Sequence, residues 1–235
     1  MKRAVVILIF LSCQLVCVAQ SSVLEKAWTT SSSTQGLDEI DSRIDRVVAK
    51  IEKHRYRNDQ HKLYALFKST HTAFLYEYSK YSNIDELTSG KYDCLTATAL
   101  FADVLDRAGY EYNIIETNYH IFIVVNTKDG DVILETTDRF NGFINDKQNI
   151  TRAVAQYRKN ALDASPAHHR YNFSLYQPVD PGQLTGLLYF NQAVKAFNEG
   201  NWTKCSEKLT AAKRNSSSPR IAELTALLNQ QASSK

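Results

Sequence analysis

The sequence predicts an α+β protein, with helices packed on a small antiparallel sheet and a C-terminal helical hairpin. Three observations carry that prediction. Before residue 110, apolar residues recur at helical spacing. In the middle of the chain, the apolar run His120–Asn126 is followed by an Asp129-Gly130 turn and a returning run, Val132–Thr136. After Pro181-Gly182 the helical period resumes and is punctuated by Gly200 and Pro219.

The start of the chain bears on its compartment. Met1-Lys2-Arg3 is basic, Ala4 to Leu11 is almost wholly apolar, and Cys17-Val18-Ala19 fits a small-x-small cleavage rule. Residues 1–19 thus read as a secretory signal peptide cut after Ala19. The apolar run is short for a membrane span. Neither Cys13 nor Cys17 follows the small-residue box of a lipoprotein. The expectation is an exported protein, periplasmic or secreted, without a stable membrane span. Removing the signal leaves two cysteines, Cys94 and Cys205, 111 positions apart and not expected to form a disulfide. A net charge of +3, with no basic cluster interleaved with aromatics, argues against nucleic acid.

Residues 20–36, rich in Ser, Thr and Gln, read as a flexible lead-in. Asp38 can cap a helix carrying Ile40, Ile44, Val47, Val48 and Ile51 on one stripe. Asn58 or Asp59 caps the next helix, whose stripe is Leu63, Leu66, Phe67, Thr70 and Phe74, with Tyr78 as a possible extension. His54, His61 and His71 are expected to be exposed or capping. His61 and His71 are not an i, i+4 pair, so the sequence offers no metal-ligand spacing and no cofactor motif. Asn83–Leu87 forms a short turn, and a helix runs from Cys94 to about Ala108, stopped by Gly109. Tyr112–Glu116 is the first strand. His120–Asn126, apolar on both faces, is a central strand, and Val132–Thr136 returns as its hairpin partner. A helix starting at Asn149 or Thr151 carries Ala153, Val154, Tyr157 and Leu162. Residues 165–181 read as irregular, with His168 and His169 facing solvent.

The chemistry-bearing stretch is Ser89-Gly90-Lys91-Tyr92-Asp93-Cys94. It places a cysteine at a helix start, where the helix dipole and free N–H groups favour an anionic sulfur. Pairing across the Asp-Gly turn sets His120 opposite Glu135, since the two numbers sum to 255, about twice the turn centre. Cysteine as nucleophile, histidine as general base and then acid, and an acid orienting the ring form a nucleophilic triad. The Cys94 N–H is one oxyanion donor, with Tyr92 or Asn118 as candidates for a second. Against this stands the plainer reading, in which each is a packed or solvated residue with no chemistry.

Gly90, Cys94, Ala97, Ala99, Leu105, Gly109, His120, Glu135 and Thr136 together resemble the core of the transglutaminase-like superfamily, within the papain-like cysteine enzymes. The likeness covers residues 90–143, inside a domain expected over 37–180. It implies a papain-like core and an exported thiol enzyme that cleaves or transfers an amide or peptide bond through a Cys94 acyl-enzyme. Its substrate would be a peptide or protein. The family usually has Asp where this chain has Glu135, and Asp138 is an alternative acid. No upstream Gln stands where papain-type proteases carry their oxyanion donor. Residues 181–235 resemble a tetratricopeptide repeat in the order Ala193, Phe197, Gly200, Trp202, Cys205, Leu209 and Ala212. There Cys205 fills the small packing position, and the helices could hold a protein partner. The alternative reading is a non-catalytic protein-interaction module with a vestigial triad.

Overall fold

The computed structural model describes residues 21–118, 120–160 and 175–233. The expected signal peptide, Leu162, His168 and His169 lie outside the described residues. The fold is α+β with a small antiparallel sheet. Its elements run α1 (Val23–Trp28), α2 (Leu37–Glu52), α3 (Asp59–Phe74), β1 (Glu77–Tyr78), a 3-10 turn (Ile84–Ser89), β2 (Lys91–Tyr92) and α4 (Cys94–Arg107). They continue with β3 (Glu111–Thr117), β4 (Ile121–Thr127), β5 (Gly130–Leu134), β6 (Phe143–Ile144), α5 (Lys147–Asn160), β7 (Tyr176–Val179), α6 (Pro181–Asn198), α7 (Trp202–Asn215) and α8 (Pro219–Ser233).

The five-stranded sheet has the order β6-β5-β4-β3-β7, all antiparallel. Alternation along the strands builds two cores. Ile121, Ile123 and Val125 of β4, with Val132 and Leu134 of β5, pack into the cluster formed by α1 to α4. Ile115, Phe122 and Ile133 face the other way, against Ile150, Ala153, Val154 and Tyr157 of α5. A central strand covered on both faces must be apolar on both, as β4 is.

Several expectations need correcting. Residues 20–36 are not simply a lead-in: Val23, Leu24, Ala27 and Trp28 are buried, and Ser22 closes a capping box with Glu25. Four apolar residues on one helical face outweigh the polar composition around them. Gly36, at φ +94°, stands at the N-cap of α2 in place of Asp38. α3 ends at Phe74, and Tyr78 lies in β1. Part of the segment expected to be irregular is β7, an edge strand in which Pro178 is tolerated. The hairpin register sums to 257, with Ile123 opposite Leu134 and Thr127 opposite Gly130. A shift of two preserves which face each side chain occupies.

The C-terminal segment holds the hairpin α6–α7 followed by a third helix, α8, the three that Gly200 and Pro219 delimit. Leu184, Leu187 and Leu188 of α6 belong to the main core, while Phe190, Ala193 and Ala196 pack with Cys205, Leu209 and Ala212 of α7. A boundary at residue 181 therefore falls before a helix shared by both clusters.

His71 is the sharpest departure. His54 and His61 are exposed, and His61 bonds its helix cap Asn58. His71 is fully buried between Phe67 and Phe101, and neither ring nitrogen has a protein hydrogen-bond partner. Burial pushes it down to about 4, helped by the charges of Arg139 and Lys68 and opposed by Asp138. Below pH 6.5 the unfolded chain takes up this proton before the folded one does. Stability is therefore full above 6.5 and falls as pH drops toward 4, by about 3 kcal/mol. His71→Phe should abolish that component, read as urea midpoints at pH 7 and pH 4 for the two proteins.

Candidate active site

The candidate site is assembled from the start of α4 outward. Asp93 is its N-cap and is 1% exposed. Its Oδ1 accepts from the Leu95 N–H at 3.0 Å and the Thr96 N–H at 2.9 Å, and Thr96 Oγ1 accepts from the Asp93 N–H at 2.8 Å. Oδ2 accepts from Nδ2 of Asn191, on α6, at 2.7 Å. Burial raises the Asp93 pKa, and these hydrogen bonds oppose the rise. The cap uses the amides of Leu95 and Thr96, so the N–H of Cys94 itself is not one that Asp93 takes. Gly90 sets up the approach to the loop. Its φ is +82°, and a side chain there would strike the Tyr76 ring. Its carbonyl accepts from the N–H groups of Tyr76 and Glu77, and the parallel β1–β2 pair follows.

Cys94 is half-buried and free, and Cys205 is buried and free. The structure brings His120 and Glu135 to Cys94. His120 immediately precedes β4 and Glu135 immediately follows β5. The shifted register takes both beyond the ladder, and the imidazole reaches along the strand end to the acid. His120 Nε2 bonds Glu135 Oε2, and the Tyr157 hydroxyl donates to Glu135 Oε1. His120 and Cys94 line the same cleft. With Nε2 turned to Glu135, Nδ1 is the ring nitrogen that remains for the thiol. Burial alone would lower the His120 pKa. The influence of Cys94 and Glu135 outweighs it and lifts His120 to about 10.

The other candidates sit elsewhere. Asp138 accepts from the N–H groups of Phe140 and Asn141 at 3.0 and 2.9 Å, a turn that holds its pKa below the usual value. It closes the loop after Glu135, and Glu135 is the acid that meets His120. That loop is tight: Glu135 N–H donates to Gly142 O, and a side chain at Gly142 would strike the Glu135 and Asp138 carbonyls. Tyr92 is buried, edge-on to Tyr78 with ring centroids 5.9 Å apart. Asn118 Oδ1 accepts from the Leu175 N–H at 2.7 Å and pins the chain entering β7. Among the described residues, no three His, Cys, Asp or Glu side chains converge to hold a metal. No described helix is long and apolar enough to cross a membrane.

Sequence reasoning missed three groups. Tyr157 was expected only on a packing stripe. It stacks on Phe122 (centroids 4.6 Å, 24°) and steadies the free oxygen of Glu135. Asn191 and Arg220 come from α6 and α8 and line the same cleft as Cys94 and His120, a space of about 300 Å³ that Tyr78 and Tyr81 also line. Tyr81 has φ +60°, the one positive φ among the described residues other than glycine. A bulky side chain in that region carries strain on the order of 1–3 kcal/mol, a feature that clusters at functional sites.

Comparison of the chain with protein-family models, with curated proteins and with solved structures gives no match. Asn191→Leu should lower stability by about 1–3 kcal/mol, because it strands a buried Asp93 oxygen. Urea denaturation measures this, and an unchanged midpoint would contradict the proposed role of the Asp93–Asn191 bond.

Proposed function

We propose that this is an exported thiol enzyme of the transglutaminase-like type, which cleaves or transfers an amide or peptide bond through an acyl-enzyme on Cys94. The observation that carries the reading is the hydrogen-bonded row Tyr157–Glu135–His120, which shares a cleft with Cys94 at a helix start. An isolated buried cysteine or a structurally satisfied histidine would have no need of that row.

The steps follow from the geometry. Glu135 holds His120 through Nε2, and His120, its pKa lifted to about 10, is the cation beside which the Cys94 sulfur reacts as thiolate. The sulfur attacks the substrate carbonyl, forming the C–S bond, and the carbonyl electron pair moves onto oxygen. The Cys94 N–H at the positive end of α4 is placed to donate to that oxyanion. As the intermediate collapses, the C–N bond breaks and His120 gives its proton to the departing amine. His120, now neutral, draws a proton from water or from an acceptor amine. That nucleophile displaces the sulfur and regenerates the pair. Hydrolysis is the default in dilute aqueous surroundings.

Iodoacetamide at pH 6 should alkylate Cys94 far faster than Cys205, which is buried and whose pKa burial raises. His120→Ala should slow Cys94 by at least about tenfold. Peptide mapping after timed labelling gives both rates. Equal, slow labelling of the two cysteines would return the chain to the reading of a binding module with a vestigial triad.

A further inference from the structure

Among the described residues, two cations that the chemistry above does not use line the cleft. Arg220, in the first turn of α8, has a side chain 17% exposed. Its guanidinium carbon lies 4.7 Å from the centroid of the Phe190 ring. It meets the carboxylate of Glu116, with Nη1 to Oε1 at 3.5 Å. That contact is long and single, and it is not the bidentate fork that would spend the guanidinium. Glu116, fully buried, draws its shorter bonds from Ser218 Oγ at 2.7 Å and Gln177 Nε2 at 3.1 Å. The second cation is Lys80, whose Nζ stands 5.0 Å over the Tyr81 ring. Both residues line the cleft with Cys94 and His120. The acids at the site are committed elsewhere, Asp93 to Leu95, Thr96 and Asn191, and Glu135 to His120 and Tyr157.

We propose that the Cys94 cleft selects an acidic peptide, one with a carboxylate beside the amide under attack, seated by Arg220 with Lys80 as the second cation. This rests on Cys94 being the reacting thiol. Stacking on Phe190 fixes the plane of the guanidinium before substrate arrives, so its N–H fork meets a carboxylate with little ordering cost. A carboxylate beside the scissile bond would otherwise repel the attacking thiolate, and two cations at the rim remove that barrier. Arg220 acts here on specificity. It also ties the start of α8 to the sheet, and the test separates the two roles.

The test compares alkylation of Cys94 by iodoacetate, an anion, and by iodoacetamide, its neutral analogue, in the full chain. Each reaction forms a C–S bond and expels iodide, and His120 is present in every variant. The wild-type rate ratio, acetate over amide, should exceed that of N-acetylcysteine. It should fall about fivefold in Arg220→Met, the scale of one partly exposed charge contact, and recover in part in Arg220→Lys. Lys80→Gln, at an exposed position, should lower it by a smaller factor without disturbing the fold. A loosened α8 would change both rates together and leave the ratio alone. Slowing of the iodoacetamide reaction by N-acetylglutamate α-amide identifies a side-chain carboxylate, and slowing by N-acetylalanine identifies a chain terminus. Protection no better than that from N-acetylglutamine amide overturns the subsite. Rapid labelling of Cys94 with a ratio unmoved in both Arg220→Met and Lys80→Gln also overturns this inference and leaves the thiol reading standing. Slow labelling by both reagents in the wild type defeats the two together.

Discussion

Asp93 places a carboxylate, almost wholly out of water, at the start of α4. Such a group is tolerated only when its oxygens are fully bonded. One oxygen is bonded by the first turn of α4 and the other by Asn191 of α6. This satisfaction fixes two things together. It sets the rotation of the helix start, and so the direction of the Cys94 sulfur. It also clamps α6 against the loop before Cys94, although the two lie nearly a hundred residues apart in sequence.

From that clamp the rest of the cleft follows. α6 carries its first half into the main core and its second half into the cluster with α7, so the C-terminal helices cannot be a loose appendage. α8 begins beside the sheet because Ser218 and Arg220 reach the buried Glu116 of β3. The residues that resemble a helical repeat thereby build one wall of the thiol cleft. The opposite wall comes from Tyr78 to Tyr81, held by the parallel pairing of β1 with β2 after Gly90.

Much of the candidate site was legible in the residues. Cysteine at a capped helix start, histidine at the head of an apolar strand and glutamate after its hairpin partner are all local signals. The register missed by two, an even number, so His120 and Glu135 still share a face and meet. What was not legible depends on tertiary packing. Tyr157 looks like any stripe residue until α5 docks on Phe122. Asn191 and Arg220 carry no local mark, because their meaning lies in partners some hundred positions away. Val23 to Trp28 was obscured by its polar neighbours, and β7 by its brevity and its proline. His71 sits at a helical position whose burial follows from which face α3 presents to Phe101, and no single residue reveals that.

The central claim is that Glu135 and Cys94 together hold a proton on His120. Nitrogen-15 NMR of ring-labelled His120 tests it most directly. The account predicts both ring nitrogens protonated at pH 8, with titration near 10, and a fall of that titration to lower pH in Cys94→Ala. A wild-type His120 that titrates near the ordinary 6.5, and does so unchanged when Cys94 is replaced, would contradict it.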